Sequence, residues 1–195
     1  MQKTALKSAL FACGLALSGT AFAGAPSGAM LGNTCAGCHG TDGNSTGPAT
    51  PTIAGMNSEI MVEMMQGFKK GDIPSTIMGR IAKGYSDAEF KSMADFFAGK
   101  KFAAADQKSD AAAAKKGAKL HKKYCEKCHE DGGVSGEDAP RMAGQWTPYL
   151  VNSMTDFQSG KREMPKKMKK KVDKMMKKHG DAAAGQLLNY YASQK

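Results

Sequence analysis

The sequence predicts an all-α protein built from two tandem copies of one helical unit. Apolar residues recur at spacings of three and four, whereas the alternating pattern of strands is nearly absent. The motif CAGCH at Cys35 returns as CEKCH at Cys125. Further residues recur at an offset of 89, in the pairs Pro51/Pro140, Ala54/Ala143, Gly55/Gly144, Met65/Met154, Phe68/Phe157 and Gly71/Gly160. This repetition indicates an internal duplication, in which the second copy has lost one residue between the motif and the proline.

The first 23 residues have the features of a cleavable secretory signal. Lys3 and Lys7 precede an apolar run over residues 9–17, and the small residues around Ala23 suit a cleavage site. The run is shorter than the roughly 20 apolar residues that span a bilayer, so we expect an exported protein that begins at Gly24. Its formal charge would be +8, because the signal contains two lysines of a sequence with net charge +10.

Helix caps mark the predicted elements of each copy. The predicted organisation is a signal peptide over residues 1–23, a first domain over 24–100, a linker over 101–109 and a second domain over 110–195. Ser58 and Thr147 are the predicted N-caps of matching central helices, each followed by an apolar stripe. Pro148 suits the first turn of the second of these helices, where its missing N–H has no partner.

The remaining helices also have recognisable starts. Ser86 and Glu89 form a capping box that opens the last helix of the first domain. In the second domain the corresponding helix is expected over residues 181–193. Ser109 or Asp110 is suited to cap the helix that precedes the second cysteine motif.

Each predicted domain is small and rich in loops, so it needs a staple besides its apolar core. A disulfide within either cysteine pair would close a very short loop and restrict the unfolded chain little. Cys-x-x-Cys-His is instead the attachment signature of c-type haem, in which two thiols bind one porphyrin and the histidine ligates its iron. A thioredoxin-like redox pair would need a βαβ context, and a zinc site would leave the histidine after both pairs unexplained. We therefore predict two covalent haems.

The predicted ligands follow from the motifs. They are Cys35, Cys38 and His39 for the first haem, and Cys125, Cys128 and His129 for the second. Each iron then needs a sixth ligand, which we expect in a loop between the central and the last helix. Met78 meets this condition because it follows Pro74 and precedes the Ser86 cap. Most other methionines lie on apolar stripes, where methionine fills gaps in a core.

The second domain offers two methionines as the sixth ligand, and the sequence leaves the choice open. Met164 stands in the loop just before Pro165, which suits a helix start. Counted from the repeated glycine, Met168 is closer to the spacing of Met78. Met168 also shares an apolar stripe with Val172, which indicates packing. We therefore expect Met164 to ligate the second iron and keep Met168 as the alternative.

Two further histidines do not recur between the domains. His121 shares a helix face with lysines, and His179 ends a basic helix, so both are expected on the solvated surface. A second histidine on an iron would lower the reduction potential relative to methionine. We therefore expect His/Met ligation of both irons.

Several stretches resemble the dihaem cytochrome subunit of flavocytochrome c sulfide dehydrogenase. They are MLGNTCAGCHGTDGNSTGPATPTIAGM, STIMGRIAKGYS, GAKLHKKYCEKCH, AGQWTPYL and the terminal YYASQK, and the likeness extends over essentially the whole mature chain. The haem motifs are shared by all c-type cytochromes, and AGQ with a following YL also occurs in soluble dihaem electron carriers of the same superfamily. The resemblance implies two tandem class-I cytochrome c-like domains related by a pseudo-twofold axis.

The resemblance also implies a function in sulfur oxidation. In that family an FAD-containing flavoprotein subunit oxidises sulfide and passes electrons to the dihaem subunit in the periplasm. This chain would then be the electron-transferring subunit of the enzyme, in a heterodimer, with no catalytic residue of its own. FAD would be bound by the partner, because no Gly-x-Gly-x-x-Gly element follows a strand here. The alternative is a free soluble dihaem cytochrome c that carries electrons in a respiratory chain.

Charge and aromatic content indicate where partners would bind. Residues 161–178 contain ten basic residues, usually a solvated face, which could steer an acidic redox protein as the downstream acceptor. Trp146, the only tryptophan, stands at the position of Asn57 in the first domain. It is expected to pack against haem or core, or to lie with Tyr149 near a contact with the flavoprotein. Neither nucleic-acid binding nor a membrane span is predicted.

Overall fold

The computed structural model describes residues 25–135 and 139–195, so the predicted signal lies outside the described residues. Within these ranges the regular structure is helical apart from one isolated bridge between Glu130 and Ser135. This confirms the predicted all-α class. No helix in the same ranges is long and apolar enough to cross a membrane.

Nine α-helices and three short 3₁₀ turns make up the described part of the chain. The helices of the first domain are α1 (Gly28–Asn33), α2 (Ala36–His39), α3 (Ser58–Lys70), α4 (Met78–Ile81) and α5 (Asp87–Ala98). Those of the second are α6 (Ala111–Tyr124), α7 (Thr147–Gln158), α8 (Lys166–His179) and α9 (Ala182–Ser193). The 3₁₀ turns are Thr41–Gly43, Ala82–Gly84 and Asp131–Gly133.

Matched backbone hydrogen bonds show the duplication directly. In each domain one loop carbonyl accepts from two successive amides, and the next glycine donates to the last helix. In the first domain the amides of Ile53 and Ala54 donate to the Gly43 carbonyl, and that of Gly55 donates to the Phe97 carbonyl. In the second domain the amides of Met142 and Ala143 donate to the Gly133 carbonyl, and that of Gly144 donates to the Tyr191 carbonyl. The offset between domains changes from 90 to 89 within this loop, so the lost residue lies between the 3₁₀ turn and the repeated proline.

Two of the four predicted N-caps are confirmed, and the two central ones shift by one residue. Ser86 and Glu89 form the expected capping box, and Asp110 caps α6 through its carboxylate. Helix α3 is capped by Asn57, whose Oδ1 accepts from two helix amides at 2.8 and 3.2 Å. The prediction of Ser58 as the N-cap is therefore wrong. Asn57, one residue earlier, has a longer side chain that reaches both amides.

The matching central helix of the second domain begins after Trp146. Its predicted N-cap, Thr147, is instead the first helical residue, and Pro148 lies in the first turn as expected. Trp146 makes no side-chain bond to the helix start. The proline contributes there by removing one amide that would otherwise need a partner.

In both domains the first and last helices cross at very short distance. A Cβ atom on Gly28 would lie 2.3 Å from the Ser92 carbonyl oxygen, and one on Gly117 would lie 2.0 Å from that of Gln186. Only glycine permits this approach between α1 and α5 and between α6 and α9. The crossing holds each cysteine motif, which follows α1 or α6 directly, against the last helix of its own domain.

The cysteine motifs border the apolar cores. Cys35 packs against a cluster that contains Leu31, Phe90 and Met93. Cys125 packs against a second cluster, formed by Leu120, Tyr124, Met175, Ala183, Leu187 and Tyr191. Each domain therefore has a modest core with one sulfur of its motif at the edge.

The segment over residues 101–110 contains no helix, yet it is attached to both domains. Ala103 N donates to Asn44 Oδ1 of the first domain at 2.7 Å. Ala105, which is buried, donates its amide to the Gly144 carbonyl of the second domain at 2.8 Å. The predicted linker thus contributes to the contact between the domains.

Candidate functional site

The first motif forms a single helical turn that begins where α1 ends. Cys38 N and His39 N both donate to the Cys35 carbonyl, at 3.2 and 2.9 Å. This turn, α2, keeps the two thiols and the imidazole within four residues of backbone whose conformation is fixed. Such a compact set is what attachment of one haem edge and ligation from below require.

The His39 ring has a defined orientation and tautomer. It is 9% exposed, and its Nδ1 atom lies 2.8 Å from the Pro51 carbonyl oxygen. Because a carbonyl can only accept, Nδ1 carries the proton and Nε2 keeps a lone pair. Burial lowers the pKa of His39, and the bond to Pro51 partly opposes this shift. The ring therefore stays neutral near pH 7, which is the form that binds a metal.

The four cysteines of the two motifs are free thiols in the described part of the chain. In each pair the first cysteine is half-buried and the second is exposed. Cys35 and Cys125 are the half-buried ones, and Cys38 and Cys128 are the exposed ones. Burial is the main cause that raises the pKa of the Cys35 and Cys125 thiols. Across residues 25–135 and 139–195, no three His, Cys, Asp or Glu side chains are grouped to hold a metal ion.

The second motif repeats the backbone turn with a different environment for the histidine. Cys128 N and His129 N donate to the Cys125 carbonyl at 3.1 and 3.0 Å. The Nδ1 atom of His129 is buried and has no hydrogen bond of normal geometry among the described residues. Burial and the nearby His121 lower the pKa of His129, while the Pro140 carbonyl acts in the opposite direction.

Large apolar side chains are exposed in both domains. The large apolar residues exposed in the described chain are Met30, Ile77, Ile81, Val134 and Val151. Ile77 and Ile81 stand on either side of Met78, and Val134 follows the second motif. Each motif also supplies two thiols and a histidine within one turn, which is the donor set of a covalent haem. The residues present therefore fit a haem in each domain.

Met78 lies in the predicted segment, between the central and last helices of the first domain. It is half-buried and begins α4, a four-residue helix, where the sequence predicted a loop. The turn is closed by the Ser75 hydroxyl, which accepts from Gly79 N at 2.7 Å. Its role as the sixth ligand stays a prediction.

The two methionines considered for the second iron occupy different surroundings. Met164 precedes α8 without helical structure and lines a cleft together with Phe157, Val172 and Met176. Met168 lies within α8 and is half-buried. The residue of that stripe that is buried in the core is Met175, at 3% exposure. Packing of the α8 stripe is thus confirmed, while the choice of ligand stays a prediction.

His121 is buried, so its predicted place on the solvated surface is wrong. It is 1% exposed, its Nδ1 lies 2.9 Å from the Tyr191 hydroxyl, and its Nε2 lies 2.6 Å from Glu126. The close crossing at Gly117 brings α9 over this face of α6 and places the ring against Tyr190 and Tyr191. Gly117 in α6 and the adjacent Tyr190 and Tyr191 in α9 were the features of the sequence that could have indicated burial of His121.

The predicted position is found for His179 but not for Trp146. His179 is exposed as expected, with its Nε2 3.2 Å from the Tyr124 hydroxyl. Trp146 is half-buried and faces the first domain, where Nε1 donates to the Ser45 carbonyl at 3.1 Å and the ring covers Gly47. The Trp146 side chain therefore contacts the other domain, and not only haem, core or a partner as the sequence predicted.

A family model described as "Cytochrome C oxidase, cbb3-type, subunit III" matches residues 112–185. Cytochrome c4 of Stutzerimonas stutzeri is 31% identical over 147 residues, which cover 66% of this chain and 69% of that protein. The cytochrome subunit of sulfide dehydrogenase from Chlorobaculum tepidum is 46% identical over 70 residues, covering 36% of this chain and 63% of that protein.

One solved structure extends the likeness to both domains. Reduced recombinant cytochrome c4 from Pseudomonas stutzeri superposes with a TM-score of 0.72 at 25% identity. The superposition covers 87% of this chain and 99% of that one. Two class-I cytochrome c domains are therefore the architecture of this fold, as the sequence predicted.

Proposed function

Because the chain belongs to the cytochrome c4 family and is therefore a dihaem c-type cytochrome that transfers electrons, we propose that it acts as a free carrier in the periplasm. The extent of the likeness to cytochrome c4 carries this proposal, and the orientation of His39 within its motif supports the haem on which it depends. Its protonated Nδ1 is held by Pro51, and its unprotonated Nε2 is available to iron. The duplicated motif extends the same assignment to the second domain.

The proposed roles of individual residues follow from their positions. Cys35 and Cys38 would attach the first haem, with His39 and Met78 as ligands of its iron. Cys125 and Cys128 would attach the second haem, with His129 and Met164 as ligands of its iron and Met168 as the alternative to Met164. A bound haem c supplies reversible one-electron chemistry at its iron. Half-buried Cys35 and Cys125 would anchor the group to the core, and burial of His39 favours the neutral form of its ring.

A second candidate is the cytochrome subunit of sulfide dehydrogenase, with FAD on a partner flavoprotein. The 46% identity to such a subunit favours it, but that likeness covers 36% of this chain. The likeness to cytochrome c4 covers about twice as much and includes both domains. Trp146, one of the two aromatics expected at a flavoprotein contact, is engaged within the chain. These observations favour the free carrier.

Purification of the native protein from a periplasmic extract tests the choice. We expect a visible spectrum with two haems per chain and no flavin absorbance, and no reduction of the haems by added sulfide. Gel filtration should be run in both low and high salt, so that a weakly bound flavoprotein is also seen. Flavin that elutes with the haems in both, together with sulfide-dependent reduction, would establish the sulfide dehydrogenase subunit instead.

The charge of the chain is concentrated in the second domain. Residues 101–195 contain 20 Lys and Arg against 11 Asp and Glu, whereas residues 24–100 contain 6 against 7. The eight lysines of α8 are exposed, while its apolar stripe packs on the core through Met175. We propose that this basic face guides an acidic redox protein to the second domain, since complementary charge accelerates encounter.

Charge reversal on α8 should slow electron exchange with an acidic partner. We expect Lys170→Glu to lower the second-order rate constant with reduced flavodoxin, an acidic redox protein, several-fold at low ionic strength. Added salt should reduce the difference, because exposed charges are screened. Stopped-flow measurement across a salt series gives both numbers. Lys70→Glu, an exposed lysine at the end of α3, is the matched control, and equal slowing by both variants would contradict docking at the second domain.

A further inference from the structure

A buried amide side chain of the second domain holds the backbone of the first. Thr52 N donates to Gln145 Oε1 at 2.9 Å, and Gln145 Nε2 donates to the Thr52 carbonyl at 2.9 Å. Both residues are 3% exposed. Loss of either partner within the closed contact would leave a buried polar group unsatisfied, which costs more than the bond itself contributes. Gln145 therefore constrains the position of Thr52 tightly.

The constrained backbone is the peptide group that contacts His39. The Thr52 N–H and the Pro51 carbonyl belong to one peptide unit, which is planar, so holding one end orients the other. The Pro51 oxygen accepts from His39 Nδ1 at 2.8 Å. A continuous series of hydrogen bonds thus runs from Gln145 through one peptide group to the imidazole. Hydrogen bonds in such a series polarise one another in the same direction.

We propose that Gln145 is a positioning residue for the first haem, and that it tunes the proximal ligand His39 from the other domain. By accepting from the Thr52 N–H it strengthens the Pro51 carbonyl as an acceptor for Nδ1. A stronger acceptor at Nδ1 makes the imidazole a better electron donor to iron, which stabilises the oxidised state. The inference rests on the proposed ligation of the first haem by His39.

Among the described residues, no first-domain side chain holds the second motif in the way that Gln145 holds the first. The second domain therefore acts on the first haem site without a matching effect in return. The first-domain residue that corresponds to Gln145 is Met56, which is half-buried. A thioether donates no hydrogen bond and accepts only weakly, so Met56 cannot hold the peptide that follows Pro140 as Gln145 holds its counterpart. The Pro140 carbonyl acts on His129, but its contact with Nδ1 does not have normal hydrogen-bond geometry, whereas the Pro51 oxygen lies 2.8 Å from His39 Nδ1.

The variant Gln145→Met tests this proposal in the full two-haem protein. It places in the second domain the residue that the first domain has at the same position, with similar length and no donor. We expect the reduction potential of the first haem to rise and that of the second to stay unchanged. Spectroelectrochemical titration gives both potentials, and the hyperfine-shifted ring protons of His39 and His129 assign them to the two domains.

Trp146→Phe is the control for general loosening of the contact. It removes the bond from Nε1 to Ser45 and keeps a ring over Gly47, so neither potential should shift. An equal shift of both haems in Gln145→Met, the same shift in Trp146→Phe, or no shift at all would overturn the proposal. Failure of the proposed function is distinct, because it would appear as missing haems or bound flavin in the unmodified protein.

Amide exchange in the unmodified holoprotein provides a test that needs no variant. If Gln145 holds the peptide as described, the Thr52 amide hydrogen should exchange as slowly as the core amides of α5. Exchange of Thr52 on the timescale of exposed loop amides would overturn the proposal even if Gln145→Met did not fold.

Discussion

Replacement of Cys35 and Cys38 together by alanine is expected to remove one haem and unfold the first domain, while the second domain keeps its haem. The first domain has a modest core that Cys35 borders, so the covalent group supplies much of its stability. Mass measurement under denaturing conditions should give the unmodified chain with two haems and the variant with one. Helical circular dichroism and haem absorbance should each fall by roughly half, since the staple is local.

The mirrored variant, with Cys125 and Cys128 replaced, is the matched control. It should keep the first haem and unfold the second domain, whose core Cys125 borders. Loss of both haems in either variant would contradict local stapling and would mean that the contact through Gln145 and Trp146 makes the domains one folding unit. A mass equal to the bare polypeptide in the unmodified protein would remove the basis for the haem assignment itself.

The sequence was sufficient for features that depend on local pattern. The capping box at Ser86, the cap at Asp110 and the stripe of α8 need only a few neighbouring residues, and the structure confirms them. The duplication was also visible, and two of the recurring pairs, Ala54/Ala143 and Gly55/Gly144, make matched backbone bonds in the loops after the motifs. Such features are encoded within one helix or one turn.

Features that depend on distant contacts could not be read in the same way. His121 looks like a surface residue among lysines until α9 crosses α6 at Gly117 and covers it. Gln145 belongs to a motif that the sequence analysis noted only as a family likeness, and its bond to Thr52 spans 93 residues. Trp146 was likewise expected at haem, core or a partner, and lies instead between the domains.

The methionines proposed as sixth ligands depend on both local pattern and distant contacts. Met78 was selected by its place between two predicted helices, and the structure puts it half-buried at the start of α4 between two exposed isoleucines. The second domain has no such clear counterpart, because α8 is longer and more basic than the corresponding part of the first domain.

Met78→Ala is expected to abolish about half of the weak far-red absorption that arises from charge transfer between methionine sulfur and ferric iron. The band requires a thioether ligand, and one of the two proposed thioethers is lost in this variant. The remaining half should disappear in Met164→Ala and persist in Met168→Ala, since Met164 lies free of helical structure and lines a cleft, whereas Met168 lies within α8. Absorption spectra of the oxidised proteins at equal haem concentration give the comparison. If Met168→Ala removes the band and Met164→Ala leaves it, the ligand of the second iron is Met168. The third residue of α8 must then face the iron that His129 would bind.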